Sequence, residues 1–484
     1  MEADHLLFEG LVDYDAEARI VPDLAEHWDV DESGRNFRFV LRQGVLMHDG
    51  AELTADDVKR SLERSLHPLT PNPFASYYAG LSGYREYVAG KADHLEGVTV
   101  EGRYVVTFHL PEPDATFLHL LALPSARPVC RSAGNRYVDT WAPCGAGPFK
   151  LEGGGWQRGS SLRLVRHDGY FRPGLPYLDA VEWTYNMQPL SQTLRFEHGE
   201  LDIIRDLVDV DLARFMADER WRPLSVVQAD TKVYGEAMNT RMPPFDNVEI
   251  RRAVAAAIDR DHYRMILPTR MTPMGQVIPK DVPGFDPSFE GQRHDYAAAL
   301  DHMRKAGYPF DPSTGRGGWP HPVEYLLYES AITPVAQLLQ QDLSKIGLRV
   351  ELKMVSWSAF LALQERPDGA AMSMGSWEID FPDPSSLFEP LFTTAAIAPE
   401  SSFNLAFYSN RRLDDLVARA HRELDPARRT ALYGEANRLV CDEAPWALTF
   451  GLHYTDVRQP YVRGYRAHPF LSMDLRPVWI DRSP

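Results

Sequence analysis

The stretch GSWEIDFPDP, residues 375–384, sets three acids, Glu378, Asp380 and Asp383, among Trp377, Ile379, Phe381 and two prolines. Carboxylates threaded through aromatic and apolar side chains either face water from a stiff loop or line a pocket in which a cation can dock. Pro382 and Pro384 restrict the backbone, so a carboxylate held there has little entropy left to lose on binding. Beside an aromatic face, such a group suits an ammonium ion, through charge-assisted hydrogen bonding and cation–π attraction. Asp380 is the candidate for that role. Asp383, between the prolines, is expected to make a local Asx-type loop bond.

Other chemistry is sparse. No G-x-S-x-G elbow, phosphate-binding loop or H-E-x-x-H pair occurs, and GAGPFKLEG (145–153) has only the first two glycines of a dinucleotide fingerprint in register. The chain is therefore expected not to be an enzyme, and no cofactor is implied. His48 in LMHDG reads as part of a hairpin turn. Cys130, Cys144 and Cys441 lack metal-ligand spacing; at most one bridge can form, and Cys130 with Cys144 is the nearer pair.

The elements around the acidic stretch give it a position. VEYLLYES (323–330), RVELKMV (349–355) and AAMSMGSW (370–377) read as strands, separated by a helix from Thr333-Pro334 to Gly347 and a second over WSAFLALQE. That alternation argues for a parallel α/β layer. Ligands of open α/β sheets sit beyond the carboxyl ends of strands, and Trp377 to Asp380 leave the third strand at such an end. Upstream, Asp246 and Glu249 are expected to start one helix running through Ile258 and Met265 to Pro268, and Asp295 another closed by Gly307. Downstream, helices are expected over 413–422 and 426–440, the second with Asp425 as N-cap, before ALTFGLHYTDV returns as a strand. The first half reads as β-rich. Phe37, Phe39 and Leu41 alternate with Arg38, Val40 and Arg42 as in a half-buried strand, and Thr54 with Asp57 opens a helix carrying Val58, Leu62 and Leu66.

With 484 residues the chain suits two or three lobes, and 44% hydrophobic with 25% charged residues is the balance of a folded protein. A net charge of -17 without a basic stripe argues against a nucleic-acid surface. No apolar run is long enough for a membrane span. MEADHLLFEG lacks the basic and apolar regions of a secretory signal, so the chain is expected to be cytoplasmic or to have lost its start.

Longer segments carry a resemblance: LFEGLV, VPDLAEHWDVDESGRNFRFVLRQGVLMHDGAELTADDVKRSLERSLHP, LPYLDAVEW, HGELDI, MNTRMPPFDNVEIRRAVAAAIDRD, RKAGYP, GSWEIDFPDP and LDDLVARAHRELDPARRTALYGEANRLVCDEAPWALTF. In these the chain resembles the family 5 solute-binding proteins of ABC importers, the oligopeptide, dipeptide and nickel-binding group, and looks closest to the oligopeptide-binding members. The resemblance implies an α/β, two-lobed periplasmic-binding-protein-like fold of class II with an extra domain inserted in the first lobe. The first lobe would take residues 1–6, 146–236 and 456–484, the inserted domain 7–145, and the second lobe 237–455. It also implies a monomer that captures a peptide or peptide-like ligand and hands it to the membrane permease, at a periplasmic or cell-surface location. By the same resemblance, Asp380 receives the ligand's α-ammonium group, with Trp377 and Asn404 beside the pocket. Three departures stand out. Met374 occupies the place where oligopeptide-binding relatives can carry an arginine that meets a peptide carboxylate. Near Tyr234, Gly235 and Glu236 replace the usual aromatic, so Glu236 is either a second acid in the cleft or a surface charge. The family's leader, and after it a first strand and linker of roughly 40 residues ahead of LFEGL by ordinary loop and strand lengths, are expected to be missing. A sensor domain of a transcription regulator, and an oligosaccharide or nickel-chelate binder, are the alternative readings.

Overall fold

The computed structural model describes residues 3–137, 142–205, 207–228, 231–329, 333–468 and 473–481. The chain divides into two units, the first of Met1–Ala229, Arg422–Leu424 and Thr455–Pro484, the second of Asp230–His421 and Asp425–Tyr454.

The second unit is built on a mixed sheet of β1 (Lys232–Met238), β2 (Met271–Pro273), β3 (Val323–Tyr328), β4 (Val350–Val355), β5 (Met372–Glu378) and β6 (Trp446–Leu452), in the order β2-β6-β1-β5-β3-β4. β3 runs parallel to both β4 and β5, as the strand–helix alternation predicts, whereas β1 pairs antiparallel with β5 and β6. The helix expected from residue 246 to Pro268 is two helices, α1 (Val248–Ala257) and α2 (Arg260–Ile266). Ile258 is extended at φ -71° and ψ 117°, and the Asp259 carboxylate accepts the Asp261 N–H at 3.2 Å, so a second cap interrupts what the apolar spacing alone makes continuous. The first cap is Asn247, one residue later than Asp246, accepting the Glu249 N–H at 2.9 Å. Further on lie α3 (Tyr296–Lys305), α4 (Thr333–Ser344), α5 (Trp357–Gln364), α6 (Ser385–Phe392), α7 (Arg411–Arg422) and α8 (Pro426–Glu443). Asp295 and Asp425 cap α3 and α8 as expected, accepting the Ala298 and Arg428 N–H groups at 2.9 and 2.8 Å. Ile250, Val254, Tyr263, Tyr325, Leu339 and Met372 belong to one apolar core between this sheet and its helices.

ALTFGLHYTDV, expected as one strand, is two. β6 ends at Leu452, and Thr455–Arg458 joins a different, three-stranded sheet of the first unit between Ile203–Ile204 and Ser225–Val227. The first unit also holds a four-stranded antiparallel sheet of Ala25–Val30, Asn36–Leu41, Val105–His109 and Val98–Glu101, in which Phe37, Phe39 and Leu41 point inward as their alternation requires. The helix Ala55–Leu66 starts as expected, with the Thr54 N–H donating to Asp57 at 3.0 Å. A third sheet combines Phe149–Gln157, Ser161–Arg166 and Ala180–Thr184. Cys130 and Cys144 are joined in a disulfide, and Cys441 is a buried thiol.

A buried ionic network ties distant parts of the first unit together. Glu9, Asp13 and Asp23 are each at most 5% exposed. Arg476 donates to Asp13 at 2.8 Å, Arg172 to Asp23 at 2.6 Å, the Gly10 N–H to Asp23 at 3.1 Å, and the Tyr170 hydroxyl to Glu9. At Asp13, burial favours the neutral acid, but Arg476 and Arg127 outweigh it and hold the carboxyl at about 2. Glu9 is pushed the other way, first by burial and then by the charge of Asp23. These three acids would be near enough to share a metal ion. Their arginine partners already occupy them.

Candidate binding site on the second unit

β5 places the acidic stretch. Its ladder with β1 runs the whole way from Met372 to Glu378, while its register with β3 covers only Met372 and Ser373. From Met374 onward the described pairing therefore occupies one edge of β5. The inward and outward alternation of the strand continues into the loop, where Ile379 and Phe381 are 4% and 2% exposed and act as plugs. Asp380 between them stays partly exposed.

Ser386, on the first turn of α6, fixes this loop twice. Its carbonyl accepts the Trp377 indole N–H at 2.7 Å, and its hydroxyl oxygen accepts the Asp380 N–H at 2.8 Å. Trp377 also meets Phe403 edge-on, with ring centroids 5.4 Å apart, and Phe403 is exposed. Asp383 accepts the Ser385 N–H at 2.8 Å, which is the Asx-type bond expected of it. It is in addition buried and held by both terminal nitrogens of Arg429, one at 2.8 Å. The three acids thus have three environments: Glu378 exposed, Asp380 partly exposed on an anchored loop, and Asp383 inside.

Asn404 is fully buried, and its side chain is used within the chain. It donates to the carbonyls of Thr393 and Tyr408 at 3.0 and 2.8 Å and accepts the Tyr408 N–H at 3.1 Å. Its place is behind the surface, closing the segment that carries Phe403. Tyr234 stacks on Phe450 with centroids 4.8 Å apart, and burial pushes its hydroxyl up to about 12. Glu236 is neither of the two things anticipated, being 2% exposed in the core. The pleat of β1 puts it on the same side as Tyr234, over Tyr325, which hydrogen-bonds to it, while Oε2 has no partner. Burial pushes its carboxyl up to about 7. Met374 faces it across the ladder and is half-buried.

Lys232, which the sequence reading passed over, begins β1 opposite Glu378. Its ammonium lies 3.1 Å from Glu378 Oε2, donates to the Tyr454 hydroxyl at 3.0 Å and sits 5.1 Å from the Tyr454 ring centroid. Burial lowers its pKa, but Glu378 and Tyr454 raise it more, so it stays protonated beyond the ordinary range. The side chain is 21% exposed against 57% for Glu378. A lone lysine ahead of an aromatic carries no sequence signal; only the antiparallel register brings it beside the acidic stretch.

The pattern described as "Bacterial extracellular solute-binding proteins, family 5 Middle" matches residues 19–399. The di/tripeptide-binding protein 2 of Pseudomonas aeruginosa is 27% identical, over 99% of this chain and 90% of its own length. Among solved structures, the clavulanic acid biosynthesis oligopeptide binding protein 2 superposes with a TM-score of 0.85 at 25% identity, covering 99% of this chain and 91% of that one. The ABC transporter-associated periplasmic binding protein DppA from Helicobacter pylori, in complex with the peptide STSA, superposes with a TM-score of 0.79 at 22% identity, covering 99% and 93%. The fold is the two-lobed periplasmic-binding-protein fold that the resemblance implies.

Proposed function

This chain belongs to the family 5 bacterial extracellular solute-binding proteins, the solute-capturing components of ABC transporters, and we propose that its solute is a short peptide whose α-ammonium group is received by Asp380. The observation that carries the reading is the partly exposed Asp380, fixed by Ser386 at the carboxyl end of β5, where the described pairing leaves one strand edge open. An extended peptide can add to such an edge through main-chain hydrogen bonds, which are the same for every sequence, so affinity would need no side-chain code. Trp377, three residues before Asp380, and the exposed Phe403 form an aromatic pair, and in this reading they would favour an ammonium group. Asn404 and Ser386 act in this reading as positioning residues. Tyr234 lines the neighbouring sheet face, and Glu236 acts on stability alone. The division of the first unit, with residues 7–145 as an inserted domain, belongs to the same reading and is supported by the four-stranded sheet and the disulfide inside that stretch. So does delivery to a permease from the periplasmic or cell-surface side. No helix of the described residues is long and apolar enough to cross a membrane.

Family members bind solutes for transport and are not enzymes as a class. The test is calorimetric titration of the purified chain with a pool of di- to pentapeptides and, separately, a pool of cello-oligosaccharides. Heat from the peptides alone is expected. Heat from the sugars alone, from a chain with a cooperative unfolding transition, would overturn the peptide reading.

A further inference from the structure

Lys232 has an arrangement that a structural ion pair does not need. Its ammonium is mostly withdrawn from water beside the Tyr454 ring, and Tyr234 and Tyr328 are near enough to feel its charge. Its carboxylate partner, Glu378, is by contrast largely in solvent. Against burial, Glu378 does most to keep that ammonium charged, but because it is largely in solvent, water screens it and competes for it. A second carboxylate arriving with its own shielded surroundings would bind that ammonium more strongly than Glu378 does.

The register supplies the spacing. Lys232 is directly opposite Glu378, and Asp380 follows two residues later, with the Ile379 N–H still donating to the Thr231 carbonyl at 3.2 Å. Diagonal neighbours in an antiparallel ladder are roughly 7–8 Å apart, and an extended chain rises about 3.4 Å per residue. Because Lys232 lies on the paired side of β5, a short ligand whose ammonium group meets Asp380 can bring a carboxylate to Lys232 by turning across the face of that strand.

We propose that Lys232 is the receptor for a carboxylate of the bound ligand, and that Glu378 occupies the ammonium until that carboxylate displaces it. The inference rests on the peptide reading above and gives it a ligand class: short peptides that carry either a free terminal carboxylate or an acidic side chain close to the amino end. It assigns to Lys232 the recognition left open by Met374.

The experiment titrates the full chain with Ala-Ala-Ala, its C-terminal amide, Ala-Glu-Ala amide and Ala-Gln-Ala amide. A preference of about tenfold for a charged ligand over its neutral counterpart is expected, as for other hydrogen bonds to charged groups. Preference in the first pair identifies the terminus as the source, and preference in the second pair the side chain. Lys232→Met is expected to bring that ratio to about one and Lys232→Arg to restore part of it. Glu378→Gln, which removes the competing acid, is expected to tighten the charged ligand, a gain that a purely structural pair would not give. A parent that binds these peptides without preferring the charged form, or a preference that survives in Lys232→Met, would overturn the inference and leave the peptide reading standing. A folded parent that binds none of the four would overturn both.

Discussion

Glu236 brings a carboxyl group into the core of the second unit with one oxygen unbonded, and the protein's stability should record it. Its carboxyl titrates at about 7 in the folded chain, against an ordinary value of 4.5. Between those two values the folded state holds more proton than the unfolded state. Stability from this group is therefore fully present below the unfolded value and is lost as pH rises through the folded one. Glu236→Gln is expected to remove that loss and to gain on the parent by up to about 3 kcal/mol between pH 4.5 and roughly pH 8. Urea midpoints at the two ends check it, and a constant difference between parent and variant would contradict the burial described. The sequence shows an acid in a strand with no flanking cation. Whether that acid points out or in depends on which face of β1 is covered by Tyr325 and Tyr263, residues far along the chain.

The loop after β5 is held as an element, so its clamps should be felt at a distance. Arg429, on α8, grips Asp383 and also donates to the Ala420 carbonyl at 2.9 Å, linking the loop to α7. Arg429→Met leaves the Asp383 carboxylate inside without its cation and is expected to cost about 3–5 kcal/mol of stability. A smaller change, Ser386→Ala, removes the acceptor for the Asp380 N–H and is expected to cost about 1 kcal/mol while weakening peptide binding. Chemical denaturation of both variants, with titration of the second, measures these effects; a Ser386 variant with unchanged affinity would argue against the loop as anchor. The elements themselves are largely legible from apolar spacing and caps, because β3, β4, β5 and the starts of α3 and α8 depend on local signals. The break at Ile258 was not, since an apolar residue continues the helical stripe, and neither was the end of β6, where the chain passes between two units at His453 and Tyr454.

Across the whole molecule, stability depends on links that close long stretches of chain. Arg476 reaches Asp13 over 463 positions, a pairing that no local pattern announces, although both residue types are plain in the sequence. The disulfide closes a short loop, Cys130 to Cys144 with a separation of 14, and its removal by Cys130→Ser with Cys144→Ser is expected to cost about 3 kcal/mol. Thermal unfolding of oxidised parent and double variant reads this directly, and equal midpoints would show that the bridge adds nothing to the first unit. The membership of the chain in one family was readable from its segments, and the acidic stretch around Asp380 was visible there as the candidate site. Ser386, Arg429, Phe403 and Lys232 were not, because their meaning comes from the loop and ladder that gather them. The most direct test compares a tripeptide carrying a free amino terminus with its N-acetylated form by calorimetry, in the parent and in Asp380→Asn. Strong binding of the free form, lost on acetylation and lost again in the variant, is the predicted result. Equal binding of both forms by the parent would contradict Asp380 as the ammonium receptor.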